Sequence, residues 1–328
     1  MRAVVYDRYG GPAQLRLADP APPAPQPGQV LVRVEAVGLN AYDWRVLRGA
    51  PFLVRLQQGL FRPKNPILGS DIAGVVERAD DQSGFRPGQR VFGCLEGCGA
   101  AGLAVGGLAE LVAAQPSGLA PMPDGLSFEQ AASLPMAGGT ALIAVRDIAQ
   151  VQPGMAVLVH GAAGGVGSFA VQIAKALGGQ VTGVCRTRHV DFVADLGVDE
   201  VIDSTREDFT APGRTWDAVI DVAANRPIGQ LREVVNPGGV VASVGFSSLR
   251  HLVGVSLAAL GQRDSRRVVM VAADNTDDRY LHTLSDLVTT GQLRPVIDHV
   301  YSLDQTAQAF QHVESGHPAG KIIVTLED

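Results

Sequence analysis

The pattern of apolar and polar residues changes along the chain and indicates two kinds of structure. Residues 30–37 alternate valine or alanine with leucine, arginine or glutamate, which predicts a strand of an antiparallel sheet or barrel. Between residues 156 and 245, short apolar runs alternate with stretches in which apolar residues recur at helical spacing. Strands that alternate with helices predict a parallel α/β sheet. We therefore place a boundary near residue 120.

The same patterns place the individual elements. Strands are predicted within residues 3–6, 30–37, 67–76, 86–93, 156–159, 181–184, 200–202, 218–222, 240–244, 268–271, 296–301 and 321–326. Helices are predicted within residues 127–148, 169–177, 190–196, 231–235, 280–289 and 303–315. Ser127 and Gln130, three residues apart, match a capping box at the start of the first of these helices.

A glycine-rich turn joins the apolar run at 156–159 to a helical pattern. Gly161 would make the tight turn, Gly164 would let the backbone approach a pyrophosphate, and Gly167 would let the helix pack against the strand. Free N–H groups and the helix dipole would then face the phosphates. The alternative is an ordinary strand–helix turn. The predicted cofactor-binding residues of this turn are Gly161, Ala162, Ala163, Gly164, Gly165, Val166 and Gly167.

A basic turn follows the second predicted strand of the α/β region. An enzyme that binds NAD is expected to carry an acid there, for the ribose hydroxyls. This chain has Arg186, Thr187 and Arg188 instead, with no acid before Asp191. Guanidinium groups bind a 2′-phosphate through charge-assisted hydrogen bonds, so the turn favours NADPH over NADH. The alternative is a solvated basic turn.

Composition narrows the class of protein. The 328 residues are 46% hydrophobic and 18% charged, which is typical of a globular chain of about two domains. The net charge of −6 argues against nucleic acid or an anionic membrane as a partner. Three cysteines, no long apolar run and an early acid at Asp7 predict a cytoplasmic protein without a membrane span or a signal peptide.

Five segments along the chain carry a further signal. They are Gly38-Leu39-Asn40-Ala41-Tyr42-Asp43-Trp44 with Gly49, Pro66 to Val76, Pro87 to Gly93, His160 to Gly167, and Gly316 with Gly320 to Val324. In these segments the chain resembles the medium-chain dehydrogenase/reductase superfamily and, within it, the zinc-independent quinone oxidoreductase branch. The matches run from Met1 to Thr325 in order and at family-like distances.

The resemblance implies an α/β protein with two domains. Residues 1–120 and 266–328 would form a GroES-like, β-rich catalytic domain. Residues 121–265 would form a Rossmann domain, a doubly wound parallel sheet that binds NADP, with the active site in the cleft between the domains. Such proteins often pair subunits through the edge strand, here near residues 268–271, so we expect a homodimer.

The resemblance also adds cofactor-binding residues outside the glycine turn. Ser204 would contact the adenine end of the cofactor, and Gly245 and Phe246 would lie near the nicotinamide. Lys321 follows Gly320, and relatives often bring this pair close to the cofactor. An exposed strand lysine is the alternative for Lys321.

Zinc separates the branches of this superfamily. The resemblance places a cysteine ligand of zinc-dependent relatives at the position of Asn40, and a Gly-His-Glu phrase at Gly69-Ser70-Asp71. Cys94 and Cys98 alone do not make the four-cysteine structural site of those relatives, and no histidine lies at ligand spacing from them. We therefore predict that the chain binds no metal.

Without a metal, reduction of an activated acceptor is easier than oxidation of an alcohol. A quinone or an α,β-unsaturated carbonyl accepts a hydride and needs a donor for the developing negative charge. The predicted catalytic residues are Asn40 as that donor, Tyr42 as a proton donor, and Asp43, which orients the loop. Loop architecture for Asn40 and Asp43, and packing for Tyr42, are the alternatives.

The predicted function is thus the NADPH-dependent, zinc-independent reduction of quinones or α,β-unsaturated carbonyls. Two alternatives stay open. An enoyl-thioester reductase of the same fold would use a basic groove for a phosphate, and five residues offer one: Arg45, Arg48, Arg55, Arg62 and Lys64. A non-catalytic NADPH-binding redox sensor is the other alternative, and turnover of an acceptor distinguishes it from an enzyme.

Overall fold

A computed structural model describes residues 1–95, 106–245, 248–260, 265–271, 278–316 and 318–326. The strands are β1 (Ala3–Val5), β2 (Arg16–Ala18), β3 (Val30–Leu39), β4 (Asp71–Arg78), β5 (Arg90–Cys94), β6 (Leu111–Ala114), β7 (Leu119–Pro121), β8 (Ala156–His160), β9 (Gln180–Cys185), β10 (Glu200–Asp203), β11 (Trp216–Asp221), β12 (Val235–Val244), β13 (Arg267–Val271), β14 (Ile297–Ser302) and β15 (Lys321–Thr325). The helices are α1 (Ala41–Arg48), α2 (Leu53–Gln58), α3 (Phe128–Ala132), α4 (Pro135–Leu142), α5 (Gly165–Ala176), α6 (Val190–Ala194), α7 (Ile228–Glu233), α8 (Leu249–Leu260), α9 (Asp278–Thr289) and α10 (Thr306–Glu314).

The chain divides into two compact units. The first unit comprises residues 1–139, 274–290 and 295–328, and the second comprises residues 140–273 and 291–294. The sequence places these boundaries at 120/121 and 265/266 instead. The difference has two physical causes: α3 packs on β3 and β4, which brings residues beyond 120 into the first unit, and β13 pairs with β12, which keeps it in the second.

The first unit is built on a seven-stranded sheet in the order β14-β15-β3-β4-β5-β7, with β6 paired to β3. All of these pairs are antiparallel except β14 with β15. The period-two pattern of residues 30–37 correctly predicts β3, which is the centre of the sheet because it pairs with three strands. The largest buried side chains of this core include Tyr6, Leu47, Leu68, Ile72, Leu108 and Phe310.

The second unit is a six-stranded parallel sheet in the order β10-β9-β8-β11-β12-β13. The strand order reverses between β8 and β11, which is the doubly wound arrangement predicted from the sequence. The core is formed by apolar side chains of the strands, among them Leu158, Val184, Val219 and Val241, together with Phe209 and Trp216. Ligands of such sheets bind outside the carboxyl ends of the strands at the reversal.

Local signals in the sequence explain where several helices begin. Ser127 and Gln130 form the predicted capping box, because the Ser127 hydroxyl accepts from the Gln130 N–H and the Gln130 amide oxygen accepts from the Ser127 N–H. The predicted helical stretch 127–148 is divided into α3, α4 and a π-helical segment, Ile143–Ile148. Pro135 begins α4, since proline is favoured in a first helical turn.

Two further findings concern the environment of the chain. In the part of the chain that the structure describes, none of the helices is both long enough and apolar enough to cross a bilayer. Cys94 and Cys185 are buried free thiols, and burial raises the pKa of Cys185 to about 11, which favours the protonated thiol at neutral pH. Cys98 lies outside the described residues.

Candidate active site

The glycine turn between β8 and α5 is as close-packed as the sequence predicts. Gly161 has a φ of +89°, and a Cβ there would lie 3.0 Å from the Ala223 nitrogen. A Cβ on Gly167 would lie 2.0 Å from the Gly161 carbonyl oxygen. Only glycine permits this approach of the helix to the strand. Gly164 differs, because the nearest atom to its Cβ position is 3.6 Å away.

The start of α5 has the features of a phosphate-binding turn. Gly164 is the extended residue before the helix, and the twelve-residue helix begins at Gly165 with no acid in its first turn. The first N–H groups of a helix have no partner within it, and they attract an anion together with the helix dipole. The open side of Gly164 leaves room that a Cβ would fill. The residues of this turn therefore fit a dinucleotide pyrophosphate.

A buried pair, His160 and Asp221, connects the turn to the neighbouring strand, and sequence reasoning missed it. The His160 Nδ1 lies 2.8 Å from the Asp221 Oδ1, which also accepts from the Ala224 N–H at 3.0 Å. Val222 and Ala223 donate to the His160 carbonyl oxygen. The two residues end β8 and β11 in register, which a linear sequence does not reveal. This pair holds the loop after β11 against the glycine turn.

The basic turn after β9 is exposed, as predicted. Arg186, Thr187 and Arg188 all face solvent, and the Thr187 hydroxyl lies 2.6 Å from the Thr205 hydroxyl. Ser204 lies beside the turn and donates to the Cys185 carbonyl oxygen at 2.9 Å. Each of these residues stays a predicted contact with the cofactor.

The structure adds one acid to this region. Asp203 ends β10 next to Cys185, and its carboxylate accepts from the Thr205 N–H at 2.9 Å and the Thr205 hydroxyl at 2.7 Å. Arg206 lies 3.4 Å from the same carboxylate. The sequence pattern points only to the residues after β9, whereas Asp203 comes from the neighbouring strand. The charge of Asp203 is therefore paired with Arg206.

The residues predicted to lie near the nicotinamide are described in part. Gly245 directly follows β12 and has a φ of +71°, which favours glycine. Phe246 lies outside the described residues. Lys321 belongs to the first unit, where it joins a cluster with two of the predicted catalytic residues.

This cluster comprises Asn40, Asp43, Asp71 and Lys321, all buried. The Lys321 Nζ donates to the Asn40 Oδ1 at 2.6 Å and lies 3.4 Å from the Asp71 Oδ2. The Asn40 Nδ2 donates to the Asp71 Oδ2 at 2.9 Å and to the Gly38 carbonyl oxygen at 3.3 Å. The Asp43 Oδ2 accepts from the Asn40 N–H at 2.8 Å. Asn40 is therefore held on both sides of its amide.

Burial governs the electrostatics of the two acids. It raises the pKa of Asp43 to about 7, although the Asn40 N–H opposes the shift. It also raises the pKa of Asp71, where the Lys321 ammonium is the largest opposing influence, followed by hydrogen bonds from Asn40, Met136 and Cys94. Asp71 accepts hydrogen bonds from the Met136 N–H and the Asn40 amide, which indicates that it braces the cluster.

Tyr42 lies in the first turn of α1 and is partly buried. Its hydroxyl accepts a hydrogen bond from the Gln58 Nε2 at 3.1 Å. Asn40 is the residue before α1, so it lies beside Tyr42 at the start of this helix. The Asp43 carboxylate caps the same helix end by accepting from the Asn40 N–H.

The residues of the cluster do not fit a zinc ion. Zinc sites are built from thiolates, imidazoles and carboxylates about 2.0–2.3 Å from the metal. Here an amide, a hydroxyl and a carboxylate, from Asn40, Ser70 and Asp71, occupy the positions that the resemblance assigns to its ligand phrases, and an ammonium lies among them. The described ranges contain no group of three or more histidine, cysteine, aspartate or glutamate side chains that could hold a metal ion.

Comparison with known proteins agrees with both units. Residues 26–124 match the alcohol dehydrogenase GroES-like domain family, and residues 196–324 match the zinc-binding dehydrogenase family. The chain is 33% identical to the chloroplastic quinone-oxidoreductase QR1 of Triphysaria versicolor, over 99% of this chain and 98% of that protein. The chain belongs to the medium-chain dehydrogenase/reductase superfamily, in its zinc-independent quinone oxidoreductase-like branch. The resemblance stated from the sequence is confirmed.

Solved structures support the same assignment. The quinone oxidoreductase of Coxiella burnetii is 31% identical and superposes with a TM-score of 0.87, covering 100% of this chain and 99% of that one. The CurK enoyl reductase has a TM-score of 0.85 over 99% of both chains, but at 23% identity it shows the fold alone. The chain is thus an oxidoreductase of the medium-chain type, with a GroES-like domain and a Rossmann sheet.

The raised pKa of Asp43 has a consequence for stability. Because its pKa is about 7 in the folded protein and its ordinary value is 3.8, the folded state binds more protons between these values. The free energy of unfolding should therefore fall as the pH rises from about 4 to about 7. Asp43→Asn keeps an oxygen for the Asn40 N–H and should remove up to about 4 kcal/mol of this dependence.

Urea unfolding of both proteins across this pH range measures the effect. Asp124→Asn is the matched control, because Asp124 is exposed and should leave the dependence unchanged. An Asp43→Asn protein that keeps the full decrease would contradict the assignment of the proton to Asp43.

Proposed function

We propose that the chain uses NADPH to reduce quinones or α,β-unsaturated carbonyls by hydride transfer, without zinc. The observation that carries the proposal is the glycine turn, where the 2.0 Å approach of a Gly167 Cβ to the Gly161 oxygen leaves no alternative to glycine. Quinone oxidoreductases among the relatives support the class of acceptor.

Each unit contributes its own part to this reaction. In the second unit, the turn from Gly161 to Gly167 would bind the pyrophosphate, and Arg186, Thr187 and Arg188 would bind the 2′-phosphate. Ser204 and Gly245 are proposed as further contacts. A bound nicotinamide would supply the hydride. The two arginines distinguish NADPH from NADH because each places a fixed positive charge in solvent at the end of β9.

In the first unit, Asn40 is proposed to donate to the acceptor oxygen as negative charge develops on it. Its bond to the Gly38 oxygen, at 3.3 Å, is the longer of its two donated bonds and is the one that an acceptor would replace. Asp71 and Lys321 hold the amide in this orientation. Tyr42 is proposed as the proton donor, and Asp43 fixes the start of α1.

A second candidate is reduction of an enoyl thioester. It is favoured by one observation: residues 44–70 contain five cationic side chains and no acid, in a chain whose net charge is −6. Arg62 and Lys64 are exposed there, whereas Arg48 is paired with Glu314 at 2.8 Å. Two exposed cations of this kind attract a phosphate of coenzyme A or phosphopantetheine.

We also propose that the chain forms a homodimer through β13. This strand is last in the order of its sheet, so its outer edge can pair with a second copy. Next to it, Val253, Leu257 and Leu260 lie on one side of α8 with exposures of 49%, 65% and 86%, and Met270 of β13 is 41% exposed. Such an apolar surface is typical of an interface.

The buried free thiols agree with a reducing, cytoplasmic location, which we also propose.

The test of the activity is a binding titration followed by turnover. NADPH should bind, and at least one quinone or enone should consume it, as followed by nicotinamide absorbance. Asn40→Ala should lower kcat by about 100-fold, the effect of losing one oxyanion donor, with the Kd for NADPH unchanged. Asn65→Ala, in the same unit, is the matched control.

The outcomes separate the candidates. Faster turnover of a crotonyl thioester than of any quinone or enone would favour the second candidate. Binding of NADPH without turnover of any acceptor would favour a non-catalytic redox sensor. If neither NADPH nor NADH bound, the interpretation of the glycine turn would be wrong.

The basic turn should set the choice of cofactor. The wild type should bind NADPH at least about tenfold more tightly than NADH, and the double substitution Arg186→Ala/Arg188→Ala should abolish this difference, because hydrogen bonds to a charged group contribute about 1.5–3 kcal/mol. Fluorescence titration with both cofactors measures it. Arg214→Ala, an exposed arginine paired with Glu200, should keep the preference. Equal affinities in the wild type would refute NADPH specificity.

The assembly should depend on the apolar side of α8. Leu257→Glu should weaken self-association by at least about 100-fold, because it places an unpaired charge in the centre of the interface. Sedimentation velocity over a range of concentrations measures the effect. Leu56→Glu, at a leucine that is 59% exposed in the first unit, is the control and should leave a dimer. A dimeric Leu257→Glu protein would place the interface elsewhere.

A further inference from the structure

The side chain of Lys321 is an unusual buried ammonium. It is 3% exposed, and its Nζ lies among oxygen atoms of Asn40 and Asp71, at 2.6 and 3.4 Å. Its charge is costly to remove from water unless specific partners compensate it. Folded proteins therefore seldom bury a lysine unless its ammonium is paired with acceptors.

The backbone fixes where this ammonium lies. The Lys321 N–H donates to the Val296 carbonyl oxygen at 2.9 Å, and the adjacent Ile322 pairs with Leu39 of β3. Gly320 has a φ of +109°, and a Cβ there would lie 2.6 Å from the same Val296 oxygen. The chain therefore passes close to β14 just before Lys321, and the register with β3 carries the side chain to Asn40.

The choice of lysine is itself informative. The sequence has three lysines and 24 arginines, so cations of this chain are arginines almost everywhere. Lys64 is exposed, and Lys175 forms a surface ion pair with Asp199 at 2.8 Å. An ammonium is a compact point charge, whereas a guanidinium is planar and larger. The position of Lys321 thus takes a small cation between the side-chain oxygens of Asn40 and Asp71.

A metal site likewise holds a small cation against side-chain oxygens. The family that matches residues 196–324 is named a zinc-binding dehydrogenase, yet here an ammonium lies between the oxygen atoms of the cluster. We propose that the ammonium of Lys321 takes the place of a metal ion, so that the first unit carries a built-in cation and excludes divalent metals from the cluster.

The ammonium has two roles under this proposal. First, it compensates the charge of the buried Asp71 carboxylate. Second, it orients the Asn40 amide: an ammonium can only donate hydrogen bonds, so the amide must turn its oxygen, and not its N–H groups, towards Lys321. The amide N–H groups then face Asp71 and Gly38. Lys321 is a positioning residue for Asn40. The proposal goes beyond the proposed function, since it concerns charge and metal binding and holds for any acceptor.

Titration with Co²⁺, followed by its visible absorption, tests the proposal on the full chain. The wild type and Lys64→Ala should bind no stoichiometric Co²⁺. Lys321→Ala opens the position and leaves Asp71, Asn40 and the neighbouring Cys94 thiol as donors, so it should bind one Co²⁺ per chain, at least about tenfold more tightly than the wild type. Zinc content after dialysis gives a second readout.

Two results of this titration would overturn the proposal: one tightly held Co²⁺ or zinc per wild-type chain that Asn40→Ala removes, or equal Co²⁺ affinity in the wild type and Lys321→Ala. Removing the lysine leaves a buried carboxylate without its charge partner, so that variant is checked for folding by circular dichroism.

Asn40→Asp provides a test that keeps Lys321. It places a second carboxylate against the ammonium, giving a donor set that suits a divalent cation. With Lys321 present, we expect no stoichiometric Co²⁺ in this variant. Binding of one Co²⁺ per chain would show that the ammonium does not exclude the metal. All of these readouts are independent of turnover, so they distinguish this proposal from the proposed reaction.

Discussion

The hydrogen bonding of β3 to three other strands is the constraint on which the first unit depends. β15, β4 and β6 all pair with it, and nine of its ten residues are buried. At its end the pairing brings together Asn40 and Lys321, which are 281 residues apart in the chain. The polar cluster is therefore a product of strand register, and its charges are compensated only because that register is fixed.

The second unit depends on close backbone packing rather than on charge. The glycine turn lets α5 approach β8, and the buried pair of His160 and Asp221 holds the loop after β11 against that turn. Both features lie where the strand order reverses, which is the position where open parallel sheets bind ligands. The same unit has an exposed basic turn and an apolar side of α8, so the proposed binding of a cofactor and the proposed pairing with a second copy would use different surfaces of it.

Much of this organisation was predictable because it is local. Apolar periodicity placed most strands within one or two residues, and the capping box at Ser127 was recognised from two side chains. The helix α8 was missed, because apolar residues and a glycine cover most of its circumference and give no amphipathic pattern. The boundaries of the units also differ from the prediction, since they depend on which strands pair.

The candidate site was predictable only in part, for a related physical reason. Asn40 and Asp43 lie three residues apart, and their contact is a local helix cap. Lys321 is predicted to lie near a cofactor, and in the structure its partners are Asn40 and Asp71. Asn40 directly follows β3, and Asp71 is the first residue of β4. The partners of His160 and the acid Asp203 likewise come from neighbouring strands. Contacts made by register are not readable from a single sequence without homologues.

The first unit is assembled from segments that lie far apart in the chain, and this affects how the protein folds. The ribosome makes residues 140–273 as one continuous stretch, so the parallel sheet can form while β14 and β15 are still unsynthesised. Until β15 is synthesised, the edge of β3 that pairs with it stays open, and the residues of β3 that are buried in the folded protein are exposed. Such edges are prone to pair with other chains. Closing that edge requires contacts of very long sequence separation, which form slowly. Production of this protein should therefore be limited by protection of that edge during synthesis, and chaperones that cover exposed strands would raise its yield.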